Sequence, residues 1–204
     1  MFLGVVSAGS VTNFFPTVVE TLGYNKINSL LLTAPPYVLT VFTAFANARH
    51  ADATGERYLH VTIPLWVGMA AFILAACTTG LAPRYLAMML MLPGIYTSFV
   101  IILAWISNTL PRPPAKRAAA LAIINACSNC SSIYASYMYP ESDGPRYVLA
   151  MSVNCATCFL AIVMATVMRF VLVRENKKLD RIFNTTVAGA AADEGIKKGF
   201  RYRV

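Results

Sequence analysis

Six stretches of this chain contain no Asp, Glu, Lys or Arg: residues 1–19, 27–48, 61–83, 85–111, 118–140 and 147–168, with lengths of 19, 22, 23, 27, 23 and 22 residues. A helix of about 20 apolar residues is what a hydrocarbon core of ~30 Å demands, because lipid offers no partner to an open backbone N–H or C=O. The charged residues, with much of the Pro and Gly, fall between these windows. The pattern predicts an all-α membrane protein with six transmembrane helices. Only 13% of the 204 residues are charged, about half the share in an average soluble domain. The first window does not read as a signal peptide, since it lacks a basic start and a small-residue cleavage site ahead of Pro16. Its abrupt start predicts that the N-terminus is truncated within the first span of a longer protein.

Charge then sets the orientation. The loops after windows one, three and five hold three basic residues, Lys26, Arg84 and Arg146; the loops after windows two and four together with the C-terminal tail hold the other 14. Lys and Arg are retained on the cytoplasmic side, which places the C-terminus, the 49–60 loop and the 112–117 loop in the cytoplasm. The net charge of +8 is therefore a topological signature that needs no nucleic acid; membrane lipid is the partner it implies. Residues 1–183 form the six-span domain. Residues 184–204, mixed in Ala, Gly and charge, are expected to be a cytoplasmic, disordered tail, where the sequon at Asn184 would not be used.

Two C-x-x-C pairs, Cys127/Cys130 and Cys155/Cys158, have a spacing that in a soluble chain suggests a four-thiolate zinc site. Here both pairs fall inside membrane windows, where four thiolates would lack any Lys, Arg or His to balance them. Small, polarizable Cys is ordinary in helix packing. No metal and no cofactor is expected.

Asn125, Asn129, Ser132 and Ser136 recur at i, i+4, i+7 and i+11 in the fifth window, forming one helical stripe. Such side chains are costly against lipid, so the stripe faces protein or a water-filled cavity. It either lines a substrate path or bonds neighbouring helices, at ~0.6 kcal/mol per bond. A ridge of Ala118, Ala122, Ala126 and Cys130 on an overlapping side favours the second reading. Tyr96 lies just past Pro93-Gly94 in the fourth window, and a Pro/Gly interruption at depth points to a transport site; a kink beside an ordinary buried Tyr is the plainer alternative. His50 and His60 flank a cytoplasmic loop as anchors. No acidic or basic residue lies inside any window, and no protease or hydrolase motif occurs, so the chain does not read as an enzyme.

Several stretches taken together carry a resemblance: FFPTVVETLGYNKINSLLLTAPPYV, the loop with Asp52 and Gly55-Glu56-Arg57, AWISNTLPRPPAKRAAALAIINACSNC with the DGPRY that follows, and RFVLVRENKKLDR. They resemble the C-terminal half of major facilitator transporters, most of all the fungal allantoate, nicotinate and pantothenate permease branch of anion:cation symporters. One small departure is Ala150, at a position where that branch would carry Gly. The resemblance implies spans seven to twelve of a twelve-span plasma-membrane protein that moves a small organic anion with protons. Its midplane site lies between two six-span halves. It implies substrate contacts at Asn13, Tyr96, Asn125, Asn129 and Ser132, and a gating loop built from Asp52, Glu56 and Arg57. The coupling charge would lie in the missing N-terminal six-span half. A self-contained six-span protein acting as a homodimer with a second copy, or a non-transporting membrane interaction protein, are the alternatives.

Overall fold

A computed structural model describes residues 1–20, 23, 25–78, 80–109, 113–130, 133, 136–143, 146–189 and 202; the side chains of residues 13, 14, 17, 18, 136, 141 and 183–189 lie outside that description. Among the described residues the α-helices are α1 (Phe2–Glu20), α2 (Lys26–Thr54), α3 (Tyr58–Cys77), α4 (Leu81–Thr109), α5 (Pro114–Asn129) and α6 (Val148–Gly189). Two 3₁₀ turns, Ser136–Met138 and Glu141–Asp143, precede α6. Four helices, α2, α3, α4 and α6, are long and apolar enough to cross a membrane. The apolar run described without a break in α1, Phe2–Thr12, is shorter, and α5 has 16 residues. All-helical architecture is as expected, and among the described residues four helices reach membrane length.

The core forms around α4, which packs against α1, α2 and α3, while α6 lies along α3 and α1. Leu65, Phe72, Met88, Met91, Leu92, Ile95 and Ile101 are all but fully buried between these helices. The outer faces are equally apolar: Leu30, Leu31, Val41, Phe42 and Phe45 of α2 are each 64% exposed or more. A water-soluble fold rarely leaves so large an apolar face open, whereas a bilayer solvates it. Four membrane-length apolar helices with such faces are those of an integral membrane protein.

Three expectations need correction. Pro93-Gly94 does not interrupt the fourth helix, since α4 runs unbroken through both residues. Instead, Gly94 is where α4 presses on α3: a Cβ built there would sit 2.7 Å from both Cα and N of Gly68 and 2.9 Å from the carbonyl oxygen of Pro64. Ser98 Oγ adds a hydrogen bond across the same contact to the Val61 carbonyl (2.9 Å). The pair of residues serves close helix packing.

Second, the fifth window is not one helix to residue 140. α5 ends at Asn129 and Ser136 stands in a 3₁₀ turn, so Ser136 does not share an α-helix with Asn125 and Asn129. The cause is local. Ser128 Oγ, Asn129 Nδ2 and Cys130 Sγ all bond carbonyls four residues back, at Ile124 (2.6 Å), Asn125 (2.8 Å) and Ala126 (3.5 Å). Polar side chains that compete in this way for backbone acceptors weaken and bend helices. The Ile133 N–H then bonds the Cys130 carbonyl, three residues back (3.2 Å). At ~1.5 Å per residue, α5 spans only about 24 Å.

Third, the tail does not begin at residue 184. α6 continues to Gly189, 42 residues in all, and farther along, the backbone of Tyr202 is held by the Asn176 side chain through two hydrogen bonds of 2.9 Å. At the other end of α6, the Asp143 carboxylate caps the Leu149 N–H (3.0 Å), and Tyr147, at φ 47°, makes the turn into the helix.

Candidate functional site

Three helices, α1, α2 and α4, bring hydroxyl groups together. Thr12 of α1 shares a hydrogen bond with the hydroxyl of Tyr96 on α4 and donates to the Ala8 carbonyl one turn earlier (2.7 Å). Tyr37 of α2, at the end of the LLTAPPY run, lies close to the same Thr12 and packs edge-on against Phe15 at 6.3 Å. Tyr37 is 38% exposed and Tyr96 half-buried, so both hydroxyls belong to a surface that is open on one side. Hydroxyls placed here can donate to or accept from a polar solute.

α5 packs on α1 and α4 and presents Asn125 and Asn129, both exposed and bonded to each other, with Asn129 Nδ2 3.1 Å from Asn125 Oδ1. Asn13 is helical, but its side chain is outside the described residues, as is Ser132 altogether. Of the expected substrate contacts, then, the structure joins Asn125 to Asn129 and gives Tyr96 a partner, Thr12, that sequence reading had not singled out.

The loop between α2 and α3 forms a second group, at the helix ends. Arg57 is 3% exposed and donates to Asp52 through Nη2. Glu56 does not join them. It pairs instead with Arg169 of α6 at 3.7 Å, and Arg169 lies 4.5 Å from the centroid of the Tyr58 ring. The Tyr58 hydroxyl bonds Thr166 of α6 (3.1 Å). The expected gating loop is thus tied to α6, a helix the sequence did not implicate. His50 and His60, expected as separate interfacial anchors, bond each other at 2.6 Å.

A third polar group is wholly internal. Asn154 of α6, fully buried, donates to Ser10 Oγ (3.0 Å) and lies 3.4 Å from the Tyr139 hydroxyl, which itself bonds Ser10 (2.9 Å). One turn away Ser7 meets Thr157 (2.6 Å) and Cys158 Sγ (3.9 Å). These bonds tie α1 to α6 and are packing. The cysteine pairs belong to different surroundings: Cys158 is buried against α1, and Cys127 and Cys130 are exposed on α5. Among the described residues no three His, Cys, Asp or Glu gather as metal ligands would.

With this geometry the chain is similar to fungal transporters. It is 27% identical over 186 residues to the high-affinity nicotinic acid transporter of Saccharomyces cerevisiae, covering 85% of this chain and 32% of that protein. It is 28% identical over 182 residues to the MFS-type transporter efuF of Hormonema carpetanum (88% and 36%). To the major facilitator-type transporter hxnP of Emericella nidulans it is 26% identical over 183 residues (86% and 36%). The chain spans about a third of the length of the curated relatives it matches. No family model and no solved structure matches it.

Proposed function

We propose that the chain is the C-terminal six-span half of a major facilitator transporter of the allantoate, nicotinate and pantothenate permease branch, at the plasma membrane with its C-terminus in the cytoplasm. Paired with an N-terminal half, it moves a small organic anion in a proton-coupled cycle. The observation that carries this reading is the exposure of Asn125 and Asn129 on α5, a helix that packs on α1 and α4, the helices that carry Thr12 and Tyr96. Lipid cannot solvate two amides, so a second protein unit and a water-filled path between the two must cover that face. Neutral donors and acceptors suit a carboxylate-bearing solute but cannot bind a proton for coupling. No Asp, Glu, Lys or Arg lies within the six charge-free windows, which assigns the coupling charge to the other half.

Uptake in proteoliposomes under a proton gradient tests this. The chain alone should not accumulate nicotinate, allantoate or pantothenate, because alternating access needs two halves. Co-reconstituted with the N-terminal half of a related permease, it should. In that pair Asn129→Ala and Tyr96→Phe should lower uptake more than Ser98→Ala, whose hydroxyl bonds only backbone carbonyls of α3 and α4. Uptake by the lone chain would point to a homodimer, and insensitivity to both substitutions would return the α5 amides to packing.

A further inference from the structure

α2 lies along α4 and makes few contacts with α3, its partner across the loop. α2 is joined to α3 at His60: Asn47 Nδ2 donates to the His60 carbonyl (2.9 Å), and His50 Nδ1 lies 2.6 Å from His60 Nε2, the ring centroids 4.9 Å apart. A bond between two ring nitrogens needs one N–H and one lone pair, and the surroundings decide which ring supplies which. His60 is 8% exposed, and its Nδ1 is buried with no hydrogen-bond partner among the described residues. A hydrogen on that atom would be stranded, so His60 carries its proton on Nε2 and donates. His50, which is exposed, accepts through the Nδ1 lone pair. When His50 takes up a second proton its Nδ1 becomes a donor facing a donor. His60 cannot change tautomer to rescue the bond without burying an unbonded N–H.

The neighbouring charges do not take over. On α2, Arg49 and Asp52 flank His50; in the loop are Glu56 and Arg57; Tyr58 begins α3; and α6 contributes Arg169. Asp52 accepts from Arg57 and Glu56 faces Arg169, so both carboxylates already serve arginines, and the buried Arg57 guanidinium, one turn before His60, opposes a second positive charge there. α4 over residues 97–109 and α1 over residues 2–19 add no ionisable side chain.

We infer that His50 and His60 form a proton-released latch between α2 and α3, closed while His50 is neutral and opened when it is protonated. The latch rests on the proposed topology only for the identity of the proton source, which is then the cytoplasm. It makes the inner end of α2, the helix that carries Tyr37, respond to protonation of His50 from the cytoplasm.

The test uses the full chain in detergent micelles, where both faces meet the same pH and sidedness plays no part. Amide hydrogen exchange is followed for residues 45–60, corrected for the intrinsic pH dependence of exchange, with core peptides of α4 as reference. Between pH 7.5 and 5.5 protection of the joint should fall roughly two- to twelve-fold, the net worth of one hydrogen bond, while α4 is unchanged. His50→Asn places a non-titrating carbonyl oxygen near the Nδ1 position and should keep the joint protected at both pH values. His50→Ala should leave it equally unprotected at both. A wild-type joint indifferent to pH, a His50→Asn joint that still opens in acid, or a loss shared by α4 would each overturn the latch.

Discussion

At the scale of single residues, the polar side chains in these helices divide by whether a partner from another helix completes them. Asn154 has such partners: its Nδ2 meets Ser10 and Tyr139 in a fully buried network, while its Oδ1 is buried with no partner among the described residues. Asn125 and Asn129 satisfy only each other. Removing the first should therefore act on stability and removing the others on transport. Asn154→Ala should lower the thermal stability of the detergent-solubilised chain by an amount near the ~0.6 kcal/mol average for a bond between membrane helices, and up to about 1.7. Asn125→Ala should leave it almost unmoved; equal effects of the two would mean that the α5 amides also hold the bundle together. The sequence could mark Asn129 and Tyr96 as polar groups at membrane depth. It could not find Thr12, Tyr37 or Arg169, because Thr is unremarkable in a membrane helix, and what singles these residues out is a partner tens of positions away or more.

At the scale of elements, α4 and α5 reverse their expected characters. The helix read as interrupted is continuous, and the one read as continuous ends early. In α4 the ring of Pro93 is accommodated within the helix and Gly94 allows the backbone of α3 to approach. This contact is one-sided, since a Cβ on Gly68 would stand 3.6 Å from Gly94 Cα, an ordinary distance, while a Cβ on Gly94 would stand 2.7 Å from Gly68 Cα. Gly94→Ala should thus cost on the order of 1–3 kcal/mol, as overpacking does, and Gly68→Ala close to nothing, read as loss of monodisperse protein and of thermal stability in detergent. Equal tolerance of both would show that α3 and α4 can slide apart. In α5, the run of Asn, Cys and Ser that spells a periodic stripe also supplies the side chains that compete for its carbonyls. Periodicity records where residues would point on a helix and is silent on whether the helix persists.

At the scale of the whole molecule, topology is the property most open to direct test. The division of basic residues, three against 14, predicts that the two ends of α6 lie on opposite sides of the membrane. An acceptor site engineered into residues 141–146 should be glycosylated in microsomes and the natural Asn184 should not, and modification at Asn184 would invert the orientation. Membrane residence, the positions of the long apolar helices and the charge asymmetry were legible in the sequence, because each follows from a sum over many residues that no single contact can reverse. Burying charge in lipid is expensive, which is why the long apolar helices α2, α3, α4 and α6 fall largely within charge-free windows. What tertiary structure alone decided is which faces meet. The close approach at Gly94, the Thr12–Tyr96 junction, the attachment of Glu56 to α6 and the His50–His60 bond each depend on the angular setting of two helices. That setting follows from side-chain packing between segments distant in sequence, to which hydropathy and charge counts along one helix are blind.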